Sequence, residues 1–369
     1  MKSYFNDLLE ETSVDINSDN PWDIQVHDDR LFSRLMRGGT LAFGESYMDE
    51  WWDAERVDQL ITRLMKHDLK AKIEKNPVTY WLALKSYLFN RQRKGKAKEV
   101  GEHHYDAGND LFEMMLDEGL NYSSGYWKNA DTLEESQDEK LRLICEKLQL
   151  KPGMDVLDIG CGWGGFAEYA AKNYDVNVIG ITISEEQAKY ARERTEDLNV
   201  DIRLKDYRDL SVNVDRVVSI GMFEHVGYKN YEDYFEVVRQ CLKKDTDLFL
   251  LHTIGGNRST TMTTPWFDKY IFPNGMIPSI KQVGEAIEDV FIVEDFHNYG
   301  PDYDKTLMAW HENFQNGWDD IKDNYSQRFK RMWEFYLLSS AAAFRSRHLQ
   351  NWEWVLSPEG VEETYRAPR

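Results

Sequence analysis

Three short segments hold the residue types that could do chemistry. VLDIGCGWGG, Val156 to Gly165, sets Asp158 two residues ahead of a run with Gly160, Gly162 and Gly164. GMFEHVG, Gly221 to Gly227, carries Glu224 and His225, and LLHTIG, Leu250 to Gly255, carries His252 and Ile254. A glycine run directly after a strand lets the chain turn sharply and lets a ligand approach the backbone. The glycines alone leave the ligand open, because Gly160, Gly162 and Gly165 also satisfy a dinucleotide fingerprint. Asp158 narrows the choice. A carboxylate at the strand end opposes a pyrophosphate, whereas it suits a sulfonium ligand that also carries an ammonium group. The following strand ends in Gly180-Ile-Thr-Ile-Ser184 with no acidic residue for a nicotinamide cofactor's ribose, and Gln187 is the first plausible ribose partner. S-adenosylmethionine is the better fit. Asp206 and Tyr207 close the third strand and would offer a polar group and a ring to the adenine. Glu224 and His252, at the carboxyl ends of neighbouring strands, form a proton-handling pair beside that cofactor.

A fourth segment, GLNYSSGYW from Gly119 to Trp127, follows the tandem histidines of EHHYDAGNDLF. Serine near histidine raises the question whether Ser123 or Ser124 is a nucleophile.

The elements that must position these groups read as follows. VLDIG, VIGIT, VVSIG and LFLLH are apolar throughout, as strands buried on both faces are, and they alternate with helices such as Glu185 to Arg194. The pattern predicts an α/β doubly wound sheet with crossover helices. Ahead of it, Val57, Leu60, Ile61 and Leu64 mark one helix, and Tyr80, Trp81, Leu84 and Tyr87 mark another after Pro77. Residues 1–89 are read as a small helical domain, 90–101 as a basic linker and 102–369 as the catalytic domain. Between Arg91 and Lys98 the linker packs Arg93, Lys94 and Lys96, either as a solvated hinge or as a contact to anionic phospholipid. Near the end, Phe329, Met332, Trp333, Tyr336, Leu337 and Phe344 share one helix face, which predicts a helical insertion over about 302–349. WEWVLS then reads as a last strand returning to the sheet edge.

Composition sets the outer bounds. A formal net charge of −20 over 369 residues argues against nucleic-acid binding. The three cysteines, Cys145, Cys161 and Cys241, are too few and scattered for a disulfide framework or a zinc site. No secretory leader and no run of apolar residues long enough to span a bilayer is read. The expectation is a cytoplasmic protein, attached to membrane only at its surface. Aromatic residues make up 13% of the chain, including 12 Trp and 20 Tyr, which points to large apolar cavities or to a Trp-rich core.

Taken in order, HYDAGNDLF, YSSGYW, VLDIGCGWGG, ITISEEQ, GMFEHVG, LLHTIG, KYIFPNG and DYDKTLMAW resemble the markers of the cyclopropane fatty acid synthase family, which includes the mycolic acid cyclopropane synthases. The resemblance implies a class I S-adenosylmethionine-dependent methyltransferase fold (Rossmann-like) with a small N-terminal helical domain and a helical lid before the last strand. It implies action on the cis double bond of an acyl chain in a membrane phospholipid, at the inner membrane face, by a homodimer. In that family the alkene takes the activated methyl, and a bound bicarbonate removes a proton as the ring closes. Side chains matching Glu224, His252 and Tyr303 and backbone amides matching Ser124 and Ile254 would hold the bicarbonate. Tyr122, Ser123, the Gly160–Gly164 loop, Thr182 and Gln187 match cofactor positions. An aromatic wall tolerant of positive charge is expected from Phe272, Tyr299, Tyr303, Trp310, Trp333 and Tyr336. One departure is Ser124, where the family commonly has cysteine. On this reading neither serine is a nucleophile.

Overall fold

The computed structural model describes residues 2–67 and 108–369. The second predicted N-terminal helix, the basic run and the tandem histidines lie outside the described residues.

The apolar runs form the strands. β1 (Gln25–Val26) and β2 (Trp52–Asp53) make a small antiparallel pair. The main sheet holds β3 (Asp155–Ile159), β4 (Asn177–Thr182), β5 (Val200–Leu204), β6 (Arg216–Ile220), β7 (Leu248–Gly256), β8 (Ile292–Asn298) and β9 (Leu349–Ser357). Their order is β5-β4-β3-β6-β7-β9-β8. β3 to β7 run parallel, and β9 is antiparallel to both β7 and β8. The order reverses between β3 and β6, so their following loops diverge and open a crevice at the carboxyl ends of the strands.

The last strand does not return to the edge. β9 lies between β7 and β8, and β8 takes the edge. Burial explains the arrangement: from Gln350 to Ser357 β9 is buried throughout, whereas β8 leaves Ile292 and Val293 exposed. A strand covered on both faces belongs inside the sheet, and a partly wet one tolerates the edge.

One apolar layer, with Val217, Phe235, Phe249, Trp352 and Leu356, packs on one side of the sheet, and Ile144, Phe166, Val178 and Val355 belong to another. A third core is built above the strand ends. There the helices Gly300–Ile321 and Gln327–Arg345 meet Arg30–Met48 and Val57–Lys66, with Trp52, Trp266, Trp310 and Trp333 interlocked. Polar pins fix that contact, including Arg345 to Asp58 and Arg331 to Asp53, the latter at 2.6 Å. The N-terminal helices and the insertion thus share one apolar core, which roofs the crevice.

Candidate active site

The crevice is a cavity of about 300 Å³ running from the glycine loop to the helical roof. Its floor begins at β3. Gly160 has φ +84°, and a Cβ there would come within 2.7 Å of Met222, so only glycine lets the loops after β3 and β6 meet so closely. Asp158, Gly160, Gly162, Thr182, Gln187, Asp206 and Tyr207 all line this end. The Thr182 hydroxyl donates to Gln187 Oε1 at 3.0 Å, which aims that amide along the strand end. Asp206 is held by Arg208 at 2.7 Å, so its orientation is fixed. Gly165 lines the cavity where Gly164 does not; Gly164 instead precedes the helix Gly165–Tyr174 and faces Ala191.

The segment Tyr122–Trp127 crosses the cavity between two helices that pin it. Gln137 donates to the Ser123 carbonyl at 2.9 Å, Gly125 N–H to Thr306 at 3.1 Å, and Trp127 N–H to Asp302 at 2.7 Å. Tyr122 and Ser123 line the cavity. Ser124 is fully buried outside the lining, and its hydroxyl donates to the Gly125 carbonyl at 2.9 Å. No histidine in the described residues lies within hydrogen-bonding reach of either serine hydroxyl, so neither has the partner that would make it a nucleophile.

Glu224, His252, Ile254 and Tyr303 meet at the middle of the cavity. Glu224 follows β6 in a short turn, and Met276 N–H binds its carbonyl at 2.9 Å. The Ile254 N–H, expected to face an anion, donates instead to Glu224 Oε1 at 2.7 Å. Burial raises the Glu224 carboxyl above its ordinary value, against that bond. Burial likewise lowers the His252 imidazole and drives the Tyr303 phenol well up. His225 also lines the cavity, against Phe272, and burial lowers it to about 4.

Behind His252 stands a relay that sequence reasoning missed. Glu353 on β9 is the direct cross-strand neighbour of His252 on β7. The Tyr299 hydroxyl donates to Glu353 Oε1 at 2.7 Å and lies 3.0 Å from His252 Nδ1. With its proton committed to Glu353, the phenol oxygen accepts from Nδ1–H, and this network assigns Nε2 as the bare nitrogen. Burial works to raise the Glu353 carboxyl, but Lys147 at 2.8 Å, with the His252 ring 3.5 Å away, brings it far below the carboxylate range. It is the permanent anion of the group.

Of the expected aromatic wall, Phe272, Tyr303 and Tyr336 line the cavity. Tyr299 serves the relay, Trp310 packs behind Tyr122, and Trp333 bonds Met115 in the core. Phe267 and Phe344 take their places in the lining, together with Leu307. The helical period marked Phe344 as inward-facing; nothing in the sequence marked Phe267.

A cofactor can be tested against orphaned polar atoms. Asp158 Oδ2, Glu224 Oε2 and His252 Nε2 are among the buried polar atoms of the described residues without a hydrogen-bond partner, and these three belong to residues of this cavity. Buried polar groups are rarely left unpaired, and where three of them face one cavity a ligand with matching polar groups can complete them. Burial holds Asp158 at about 7, with Lys140 pulling the other way, so an arriving ammonium would ionise it. Asp158 therefore fits a zwitterionic sulfonium cofactor. Glu224, when protonated, is a donor and His252 Nε2 an acceptor, which fits a small anion bearing one hydroxyl, as bicarbonate does.

Comparison with known proteins adds the lineage. The family model for mycolic acid cyclopropane synthetase matches residues 92–354. Cyclopropane-fatty-acyl-phospholipid synthase of Escherichia coli (strain K12) is 51% identical over 364 residues, covering 99% of this chain and 95% of that protein. Among solved structures, the cyclopropane synthase MmaA2 from Mycobacterium tuberculosis has a TM-score of 0.66 at 32% identity, covering 70% of this chain and 98% of that one. The mycolic acid cyclopropane synthase CmaA1, complexed with SAH and CTAB, has a TM-score of 0.66 at 31% identity, with 70% and 98% covered.

Proposed function

Because the chain belongs to the mycolic acid cyclopropane synthetase family, we propose that it transfers a methylene group from S-adenosylmethionine to the cis double bond of an unsaturated acyl chain in a membrane phospholipid, closing a cyclopropane ring. Its fold is that of the class I S-adenosylmethionine-dependent methyltransferases, and it is an enzyme. We place its work at the inner membrane face, as a homodimer. No helix among the described residues is long and apolar enough to cross a membrane.

One observation carries the reading. A single cavity joins a charged end, at Asp158 and Gln187, to an aromatic end, at Phe267, Phe272, Tyr336 and Phe344, with Glu224 and His252 at the junction. A heteroatom methyltransferase needs a base aimed at its nucleophile, whereas an alkene attacks with its own π electrons and needs a dry, cation-tolerant wall, a base entering only afterwards to take the proton lost as the ring closes. When bound, the cofactor supplies an electrophilic methyl and bicarbonate supplies the small base. Asp158 pairs with the cofactor's ammonium and orients its methionine end. The ring faces tolerate the positive charge that develops on the acyl chain. They also exclude water, which would quench that charge. Glu224 and Tyr303 donate to an anion, and His252, oriented through Tyr299 by Glu353, accepts from its hydroxyl.

The test is direct. The protein is incubated with S-adenosylmethionine and vesicles of unsaturated phospholipid, and the fatty esters are weighed. Gain of one CH2 with loss of the double bond is expected. No gain overturns the lipid substrate; gain as a methyl branch overturns ring closure.

A further inference from the structure

Two lysines on the helix Leu133–Lys147 are fully buried, and they lie two turns apart on one face. Lys147 is matched by carboxylates, Glu353 at 2.8 Å and Asp295 at 3.2 Å. Lys140 is not. Its ammonium donates to two neutral oxygens, Asn121 Oδ1 and Ser123 Oγ, each at 3.2 Å, and it makes no ion pair among the described residues. Asp117 is near, but its oxygens take Gly119 N–H, Asn121 N–H and the Asn121 amide. Asp158 feels Lys140 through space without reaching it, and its own Oδ2 is unpartnered. A buried ammonium is costly unless an anion compensates it. Lys140 lines the cavity beside Ser123 and Asp158, at the end where the methionine part of the cofactor belongs.

We propose that Lys140 is the receptor for the α-carboxylate of the cofactor, so that Lys140 and Asp158 form a split pair matched to the zwitterion of its methionine end. The assignment rests on the reading of this cavity as an S-adenosylmethionine site. Ser123 is then a shared ligand, since its hydroxyl already touches Lys140 and is free to turn its proton toward the same carboxylate. Burial lowers the Lys140 ammonium to about 8, so at neutral pH the charge persists while an incoming carboxylate would strengthen it. The pair makes the site selective for the intact amino-acid portion, a selectivity that contacts to adenine and ribose cannot supply.

Calorimetric titration of the full chain with three ligands tests this. S-adenosylhomocysteine carries both charges, its decarboxylated analogue only the ammonium, and 5′-methylthioadenosine neither. For the unaltered protein, the decarboxylated analogue should bind at least tenfold more weakly than S-adenosylhomocysteine; equal affinity overturns the proposal. Lys140→Met should weaken S-adenosylhomocysteine at least tenfold while leaving 5′-methylthioadenosine within twofold. Parallel weakening of all three would make Lys140 a brace for the Asn121–Ser123 turn and overturn it. If Lys140→Met does not fold, Lys140→Arg decides: the cation kept, the preference for the carboxylate must remain, and its disappearance counts against the proposal. Failure of the unaltered protein to bind S-adenosylhomocysteine at all would instead sink the cofactor reading beneath it.

Discussion

The two ends of the cavity are built on opposite principles. At the glycine-loop end, Asp158 and Lys140 are buried ionisable groups with incomplete pairing, and Thr182, Gln187, Asp206 and Ser123 each make a polar contact. Toward the roof, the lining is Phe267, Phe272, Leu307, Tyr336 and Phe344, without a carboxylate or an ammonium group. Desolvated charge makes the first end demanding about its ligand. Ring faces make the second tolerant of any apolar chain while still favouring a passing cation. Glu224 and His252 sit where the two meet, so the group that handles protons is reached from both sides.

The largest effect should come from the junction. Glu224→Leu should lower product formation by about 10²- to 10⁴-fold, the usual contribution of the general base that Glu224 seats, and leave S-adenosylhomocysteine affinity within about twofold. Product assay and calorimetry on one preparation check this; equal loss of both would move Glu224 into the charged end.

Next is the charged end itself. Asp158→Asn should weaken S-adenosylhomocysteine by about tenfold to a hundredfold, since a charge-assisted hydrogen bond contributes about 1.5–3 kcal/mol. A pH signature accompanies it. Between 3.8 and about 7 the folded chain holds a proton on Asp158 that the unfolded chain has lost, so this group makes the unliganded fold less stable as pH rises through that window. Ammonium binding favours the ionised form and removes the penalty. The gain in Tm on adding S-adenosylhomocysteine should therefore be larger at pH 7 than at pH 5, a range in which Lys140 stays charged, and the difference should vanish in Asp158→Asn.

Tyr299→Phe probes how the junction is held. It keeps the ring and the Lys147–Glu353 pair but cuts the link to His252. We expect kcat to fall about tenfold with KM little changed, and a stability loss of about 1–3 kcal/mol in urea unfolding from the stranded carboxylate oxygen. A change in KM alone would place Tyr299 in the acyl wall after all.

At the tolerant end effects should be smaller. Phe272→Leu should cost about threefold to tenfold in kcat/KM, equivalent to about 0.6–1.4 kcal/mol and within the range for one ring facing a cation, without moving cofactor affinity. The smallest change is expected of Ser124→Cys, within about twofold in kcat, because the Ser124 side chain stands outside the cavity lining and bonds only the Gly125 carbonyl. A larger response would mean that the side chain, and not the backbone, shapes the anion site.

The charged end and the junction were legible in the sequence wherever their residues sit in contiguous motifs. Asp158 with its glycines, Thr182 with Gln187, and Glu224 after an apolar strand are local patterns, and local geometry delivers them to the strand ends. Lys140, Lys147 and Glu353 were not legible. Nothing in DEKLRLICEK marks its lysines as buried, and WEWVLS reads as a strand returning to the sheet edge with no sign that its glutamate meets a histidine. Their burial depends on partners far along the chain: Lys147 meets Glu353 and Asp295, and Glu353 meets His252 and Tyr299.

The sequence by itself determined the parallel apolar strands, the glycine turn after the first of them and the residues that reach the crevice from strand ends, because each follows from hydrophobic period or backbone conformation within a few neighbours. Only the tertiary structure decided the insertion of β9 between β7 and β8, and with it the relay behind His252. It also decided which rings face the cavity and which fill the core, since helical period says that a ring points inward but not what it meets there. Buried charge is the sharpest case. Whether a lysine is hydrated, paired or left waiting for a ligand depends on every carboxylate the fold brings within reach, and no window of sequence contains that sum.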